Sequence, residues 1–583
     1  MTVPPNARTA IVAALAAGIF VFSFLLRFND PGGSFAGLTD DHFFYLVRGW
    51  QILFGDLPVR DFVDHGAPLY YYVAAAVQQV LGRGTVSEVE FSAAMLALAA
   101  AMTFWVCERA TGSIVLGIAG AALQLLLGPR FYNYPKLLAY AVALPLLWRF
   151  ADKPGDRSVL WVAIATMVAF LFRHDHGVFI GLSMAVLLLL MTDVPWKERL
   201  RHAFAYGALV VVLLAPYLIF IQRNGGVDLY FRQASAWAER DRDRAPVLWP
   251  GLFDNPDGVS AAAEAGGAGG VVAVVRDNWV AWTYYAEIAL PLVALFVLLA
   301  SRDAFRPHWP RARAKIGMVV VLALVLDAGF LRSPLEARLA DPSVPLAVLF
   351  AWLLLAIPRL LVSPASLSGW AASRGWPIRA AAALASVGVL SVFAIALTND
   401  LYRRLDRSAL VERVGKPFER AANVRTQLAI EWDLAHWLGR PDRPDLMNLS
   451  LYLNACTTPG DRVLIEAYMP QVLALARRAF AGGHADLRPG FFTTEEAQRL
   501  TLERLRRQSV PVILLDTGRS LENFRASFPL VTAHIDREYR LAGEHEFDGR
   551  FGVSLFVRKD ATPASTWEPL GWPCYGSGRV GAS

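Results

Sequence analysis

Residues Leu38 to Tyr72 read LTDDHFFYLVRGWQILFGDLPVRDFVDHGAPLYYY. The stretch lies between two apolar runs, near 9–27 and 67–82, and sets Asp40, Asp41, Asp61 and Asp64 among aromatic side chains. Solubility alone accounts poorly for carboxylates so placed, and they predict a site held at a membrane surface. The flanks decide the fold class. Runs of about 17–25 apolar residues are long enough to cross a bilayer, and in lipid a single segment satisfies its own backbone hydrogen bonds only as a helix.

Outward from this stretch, similar runs recur near 88–107, 112–128, 134–150, 158–172, 177–192, 203–221, 278–300, 315–331, 343–361 and 378–398. The chain is 55% hydrophobic and 18% charged, against about 25% charged in a soluble domain. The reading is an α-helical polytopic membrane protein of about 11–12 spans. Loops 149–157, 197–201, 302–315 and 374–379 are rich in Lys and Arg, which predicts that they are cytoplasmic. The alternating loops 128–136, 172–177, 222–277 and 331–343 then fall outside, as do a first external loop at 28–66 and the tail from about 400. An inside N-terminus and an outside tail require one candidate not to cross. The expected ones are 67–82, which carries Gln78 and Gln79, or 88–107, either of them broken or re-entrant. Run 9–27 lacks a convincing cleavage site and reads as a retained span. The net charge of +6 comes from the loops, and no basic cluster lies on a soluble module, so no nucleic-acid partner is expected. The localisation that follows is the bacterial plasma membrane.

Charges become frequent after Asn399. The expected organisation is a transmembrane domain at 1–400, a linker at 401–445 and an extracytoplasmic α/β domain at 446–583. In the tail, Arg462–Tyr468, Val510–Leu515 and Val553–Val557 read as strands, and Pro470–Ala479 and 495–508 as helices. Such alternation argues for a small α/β fold. The Gly/Ala-rich stretch 251–270 reads as mobile. Cys107 falls in or near a span and reads as inert, whereas Cys456 and Cys574 fall in a tail placed in an oxidising compartment, where a bridge between them would persist.

The stretch His42–Phe54 is aromatic on one side and carries Arg48 and Gln51 on the other, which suits a helix lying flat in the interface. Asp40 and Asp41 stand at its N-terminus, where negative charge is favourable. Capping explains one of them readily and an adjacent pair less well. Asp61 and Asp64 follow, flanked by Pro58 and Pro68. A carboxylate there could take a proton from a hydroxyl or help hold a cation. RFYNYPK sets Arg130, Tyr132, Tyr134 and Lys136 at one membrane boundary. RHDHG sets Arg173, His174, Asp175 and His176 at the next, and RSPLEARLAD offers Arg332, Glu336 and Arg338 at a later one. Arginine at an interface suits a lipid-linked phosphate through bidentate contacts, although basic side chains at helix ends also simply snorkel. Ionisable groups squeezed between apolar runs are functional candidates. The His-Asp-His triplet is also a candidate for a divalent cation if it lies in a turn, and no other cofactor is indicated.

The order of span, acidic pair, aromatic helix, GDLPVRDFVDHGAPLYYY and span resembles the polytopic membrane glycosyltransferases of the GT-C superfamily. It is most similar to the branch of the protein O-mannosyltransferases and the lipid A aminoarabinose transferases. Their pattern G-x-x-P-Y-x-D-x-x-D-x-K-x-P-L is matched at Gly55, Pro58, Asp61, Asp64, Pro68 and Leu69. His65 and Gly66 stand where Lys is common, and Asp41 replaces the usual Glu. The resemblance covers the first 200 residues. It implies transfer of a sugar from a polyprenyl-phosphate donor to a glycan or lipid acceptor outside the cytoplasm. Asp40 or Asp41 would act as base in one inverting displacement, and Arg173, Lys136 or Arg338 would hold the phosphate. Two alternatives from other classes are a transporter or flippase of glycolipid and a non-catalytic glycolipid-binding assembly protein. Acids in a loop instead of mid-span, with no inverted repeat visible, count against transport.

Overall fold

The computed structural model describes residues 5–30, 40–243, 248–255, 266–306, 308–331, 336–362, 368, 375–398, 401–413, 415–440, 444–547 and 551–575. The chain forms two compact units. The first comprises 1–37, 90–216 and 245–421, and the second 38–89, 217–244 and 422–583.

The first unit is helical. Each apolar run predicted within it is a helix, from Pro5–Phe28 to Trp376–Thr398. Among the described residues of the whole chain, six helices are long and apolar enough to cross a membrane: Ala7–Phe28, Thr85–Thr111, Trp196–Arg223, Trp279–Ala300, Ser343–Val362 and Trp376–Thr398. Ile114–Leu126 and His174–Leu190 are apolar but shorter. The protein is therefore a polytopic α-helical membrane protein. Small residues let these helices approach closely. A Cβ built on Gly120 would stand 2.5 Å from the buried Cys107 Sγ and 3.1 Å from the Ala347 carbonyl oxygen, so glycine is needed there. The basic loops are tied by ion pairs. Asp152 pairs with Arg109 at 3.2 Å and with Lys315, and Arg311 pairs with Asp193 at 2.7 Å. The ammonium of Lys315 also sits 4.4 Å from the Trp309 ring centroid.

The expected linker 401–445 contains the helices Leu401–Arg407, Lys416–Glu431 and Leu434–Trp437. Within the first unit, Asn29 Nδ2 donates to the carbonyls of Ser408 at 3.0 Å and Pro417 at 2.7 Å. These bonds satisfy backbone acceptors that a free linker would leave to water. Of the stretch 251–270, residues 256–265 lie outside the described residues.

The second unit is α/β. Its five-stranded sheet has the order β2-β1-β3-β5-β4, with β1 Arg462–Ile465, β2 Ala479–Phe480, β3 Val512–Asp516, β4 Tyr539–Phe547 and β5 Phe551–Arg558. β1 is parallel to both β2 and β3, and β5 is antiparallel to β3 and β4. A two-stranded ribbon of β6 Ser565–Trp567 and β7 Trp572–Cys574 follows. The predicted strands and helices of the tail are present, each within a few residues of its expected limits. Leu464, Ile513, Phe524, Phe528 and Val531 pack in its core. Cys456 and Cys574 form a disulfide across a separation of 118 residues.

Residues 38–89 belong to this unit rather than standing apart as a surface loop. The helix Asp40–Leu53 is not an interfacial helix with one wet side. Arg48 and Gln51, its expected polar face, are each only 1% exposed. Gln51 Nε2 donates to Asp56 at 2.6 Å and to the Phe480 carbonyl at 3.1 Å, while its Oε1 accepts from Phe480 N at 3.2 Å. Burial of the Gln51 amide is tolerated because both its ends find partners, and Arg48 Nη1 donates to the Phe44 carbonyl at 2.8 Å. The helix Pro68–Val80 has only 13 residues. At 1.5 Å per residue it is about 20 Å long, short of a hydrocarbon core of about 30 Å.

Candidate functional site

In the first unit, three separate sequence motifs meet. The helix Asp156–Phe172 stops at Arg173, whose extended backbone (φ −169°) breaks it from His174–Leu190. The turn is tight because residue 177 is glycine: a Cβ there would lie 2.4 Å from that of Phe170. His174 then stacks on Phe170 with centroids 4.3 Å apart. Arg173 pairs with Asp175 at 2.8 Å, and His176 Nδ1 lies 3.2 Å from Asp175 and 3.0 Å from the Tyr140 hydroxyl. Lys136 pairs with Asp341 at 2.6 Å. Lys136 and Arg173 are within electrostatic reach of one another and of Asp175. RFYNYPK, RHDHG and RSPLEARLAD thus contribute to one cluster, with Asp341 as the member not singled out beforehand. Its cations are matched by carboxylates, so it is charge-balanced rather than a standing anion trap. Tyr134 is buried edge-on to Phe91 and Phe172. Arg130 is half-buried before the short 3-10 turn Phe131–Asn133, and Arg338 lies in another, Glu336–Arg338. Arg332 lies outside the described residues. Among the described residues, no three His, Cys, Asp or Glu side chains converge as a metal cage.

Beside this cluster stand two acids that the sequence reading passed over. Glu287 lies in the helix Trp279–Ala300 and is 0% exposed; Asp327 lies in Ala312–Leu331 and is 2% exposed. Neither carboxylate has a hydrogen-bond partner for either oxygen among the described residues. Asp327 and Asp341 are the charges that act on Glu287. The signal was in the sequence, as single acids inside YYAEIALPL and LVLDAGFL. The premise that acids lie only in an external loop therefore fails.

In the second unit the acids of the quoted stretch are mostly structural. Asp64 Oδ1 accepts from the backbone N–H groups of Gly66 at 2.9 Å and Ala67 at 3.0 Å. Its Oδ2 accepts from Tyr217 at 2.7 Å and Tyr230 at 2.9 Å. Asp64 thereby closes the turn entering Pro68–Val80, where the N-cap residue Ala67 has no side chain to offer. Asp61 accepts from Arg60 and from Leu57 N. Burial raises the Asp61 carboxyl, but Arg60, the Leu57 N–H and Arg504 together outweigh it and hold it below the usual range. Asp41 is exposed and accepts from Tyr468 at 2.8 Å. Asp40 begins the helix Asp40–Leu53. Burial drives His65 well below the ordinary histidine range, with Arg48 adding to the effect, and its ring packs against Phe44 and Phe492. Asp56 was passed over; it makes a bidentate ion pair with Arg462, the first residue of β1, with one contact at 2.9 Å.

No known protein family matches the sequence. The chain is similar to a curated protein of Mycobacteroides abscessus named a triacylglyceride transporter, at 29% identity over 221 residues. The match takes in 36% of this chain and 35% of the relative, so it spans about a third of that protein. This finding overturns the expected transfer of a sugar from a polyprenyl-phosphate donor. The similarity falls on a transporter, the alternative held open from the sequence.

Proposed function

We propose that this chain is a membrane transporter that moves a lipid, and that Glu287 and Asp327 are the groups whose charge changes during its cycle. The observation that carries the reading is the pair of buried carboxylates in apolar helices, neither with a hydrogen-bond partner among the described residues. An unpaired ionised carboxylate is costly to bury, and acids kept inside membrane helices mark ion pathways and proton relays. Neutralisation by a proton or by a cationic group is what would complete such a site. The nearby pairs Lys136–Asp341 and Arg173–Asp175 could exchange partners as it fills. The name of the M. abscessus relative supports the lipid class, and the disulfide in the second unit supports a tail on the oxidising side of a bacterial plasma membrane.

The test is movement of a fluorescently labelled triacylglyceride between vesicles that contain the purified chain and vesicles that lack it, with and without a pH gradient. Wild type should speed the movement. Glu287→Gln and Asp327→Asn should each reduce it at least tenfold while the chain still inserts and melts cooperatively. Lipid movement no faster than in protein-free vesicles, or full movement in the double variant, would overturn the proposal.

A further inference from the structure

The second unit contains a cavity of about 50 Å³ that the transport reading does not use. A water needs about 10–15 Å³ by that measure, so the space takes a small polar group and the start of a stem. Its polar lining comprises Asp64, His484 and Arg504 together with Asn224, Tyr230 and Gln233, and much of the rest is apolar, including Val63, Leu229 and Leu500.

Asp64, His484 and Arg504 are not equivalent. Asp64 already accepts four hydrogen bonds, two from backbone N–H groups and two from tyrosines, which uses the acceptor capacity of a carboxylate. Thr501 donates its hydroxyl to the Ala497 carbonyl, so it accepts from His484 Nε2 at 2.9 Å. Burial holds His484 down to about 3, and it is neutral at ordinary pH. Arg504 is different. It is 7% exposed, and burial lowers it only to about 10, so it stays cationic. Its Nη2 donates to the carbonyls of Val59 and Arg60 at 3.1 and 3.3 Å. Its Nε and Nη1 are buried without a hydrogen-bond partner among the described residues. The guanidinium is kept in place by Gly483 (φ +86°), where a Cβ would fall 2.3 Å from Nη1. Asp61, Glu503 and Asp56 act on its charge from a distance, yet among the described residues Nε and Nη1 of this buried cation, beside a neutral histidine and a saturated carboxylate, have no acceptor.

We infer that this cavity binds the oxyanion head of an amphipathic molecule, with a carboxylate or phosphate on Arg504 and the first carbons of an apolar stem against Val63, Leu229 and Leu500. Arginine favours both anions because its planar fork matches their geometry. The neighbouring turn Asn224–Gly226 also lines the cavity, and side chains at Gly225 and Gly226 would meet nothing within 4 Å. The stem can therefore leave past this turn. A free fatty carboxylate and a phospholipid headgroup share this chemistry. The site stands or falls separately from the transport reading, since none of its residues lies in the first unit.

The experiment is calorimetric titration of the full chain in nanodiscs with sodium octanoate, octyl phosphate, dioctanoyl phosphatidic acid and octanol. At least one of the three anions should bind at least tenfold more tightly than octanol. Arg504→Gln should weaken that binding tenfold or more. Leu500→Trp, which fills the cavity and leaves the bonds of Arg504 intact, should weaken it as well and covers the case in which Arg504→Gln fails to fold. Preference for octanoate assigns a free carboxylate, and preference for phosphatidic acid assigns a lipid headgroup. Binding of octanol as tight as that of the anions, no binding at all, or binding unchanged in Leu500→Trp would overturn the inference.

Discussion

Tyr217 and Tyr230 show how a residue acquires meaning from a partner far away in the chain. Both hydroxyls converge on Asp64, more than 150 positions earlier, and lie 2.9 Å from each other. A hydrogen bond to a charged acceptor contributes about 1.5–3 kcal/mol. Tyr217→Phe and Tyr230→Phe should each destabilise the second unit by roughly that amount. The double variant should lose less than the sum, because the two donors share one oxygen and couple. Melting curves of the solubilised chain can measure this. Strict additivity would mean that the two hydroxyls act independently. Asp64 was picked out from the sequence as a site residue, yet its four bonds mark it as a clasp. Nothing local in DFVDHGAP announces two distant tyrosines.

At the scale of elements, the sheet places two acids at the carboxyl ends of adjacent parallel strands. Glu466 directly follows β1, and Asp516 ends β3. Glu466 accepts from Asp516 N at 3.0 Å and sits within reach of Ser520. Burial pushes its carboxyl up to about 7 from an ordinary 4.5. The folded state therefore keeps this proton to higher pH than the unfolded chain does. The contribution of Glu466 to stability is complete below about pH 4.5 and is lost as pH rises through 7, amounting to roughly 3 kcal/mol at 1.36 kcal/mol per unit. His484 works in the opposite sense: held near 3 in the fold, it favours the folded state above pH 6.5 and loses that benefit as pH falls. The comparison that isolates Glu466 is Glu466→Gln against wild type. The melting temperature of the variant should gain on that of wild type as pH is raised from 5 to 8. A gap that does not change with pH would refute the assignment.

For the whole molecule, the disulfide carries the clearest consequence. Cys456 ends the helix Asp445–Cys456, and Cys574 ends β7. Tyr575 N donates to the Cys456 carbonyl at 3.0 Å, and Tyr452 donates to that of Pro573 at 2.9 Å, so the bridge lies within a packed seam. Closing a loop of 118 residues restricts the unfolded chain by up to about 4–5 kcal/mol. Cys456→Ala should lower the melting temperature of the second unit and leave the helices of the first unit folded. If the tail faces the oxidising side, chain taken from intact cells with free thiols blocked should carry the bridge. Recovery of both cysteines as blocked thiols would place the tail in the cytoplasm.

The sequence alone determined the class of element along the chain. Hydrophobic length is a local property, and each apolar run became a helix because its own backbone bonds close within it. The strand and helix pattern of the tail was legible for the same reason: periodicity is written over a few neighbouring residues. What only the tertiary structure decided was which polar groups meet. The helix Asp40–Leu53 looked amphipathic, but Arg48 is covered and Gln51 is paired with Phe480, so its polar face is interior. Lys136 and Arg173 read as separate boundary residues, and with Asp341, which was not singled out, they belong to one cluster. Glu287, Asp327 and Arg504 gave no periodic signal. Each is a single charged residue, and its significance lies in buried polar atoms that have no hydrogen-bond partner among the described residues, both carboxylate oxygens of the acids and Nε and Nη1 of Arg504, a property of the surroundings that three-dimensional packing supplies.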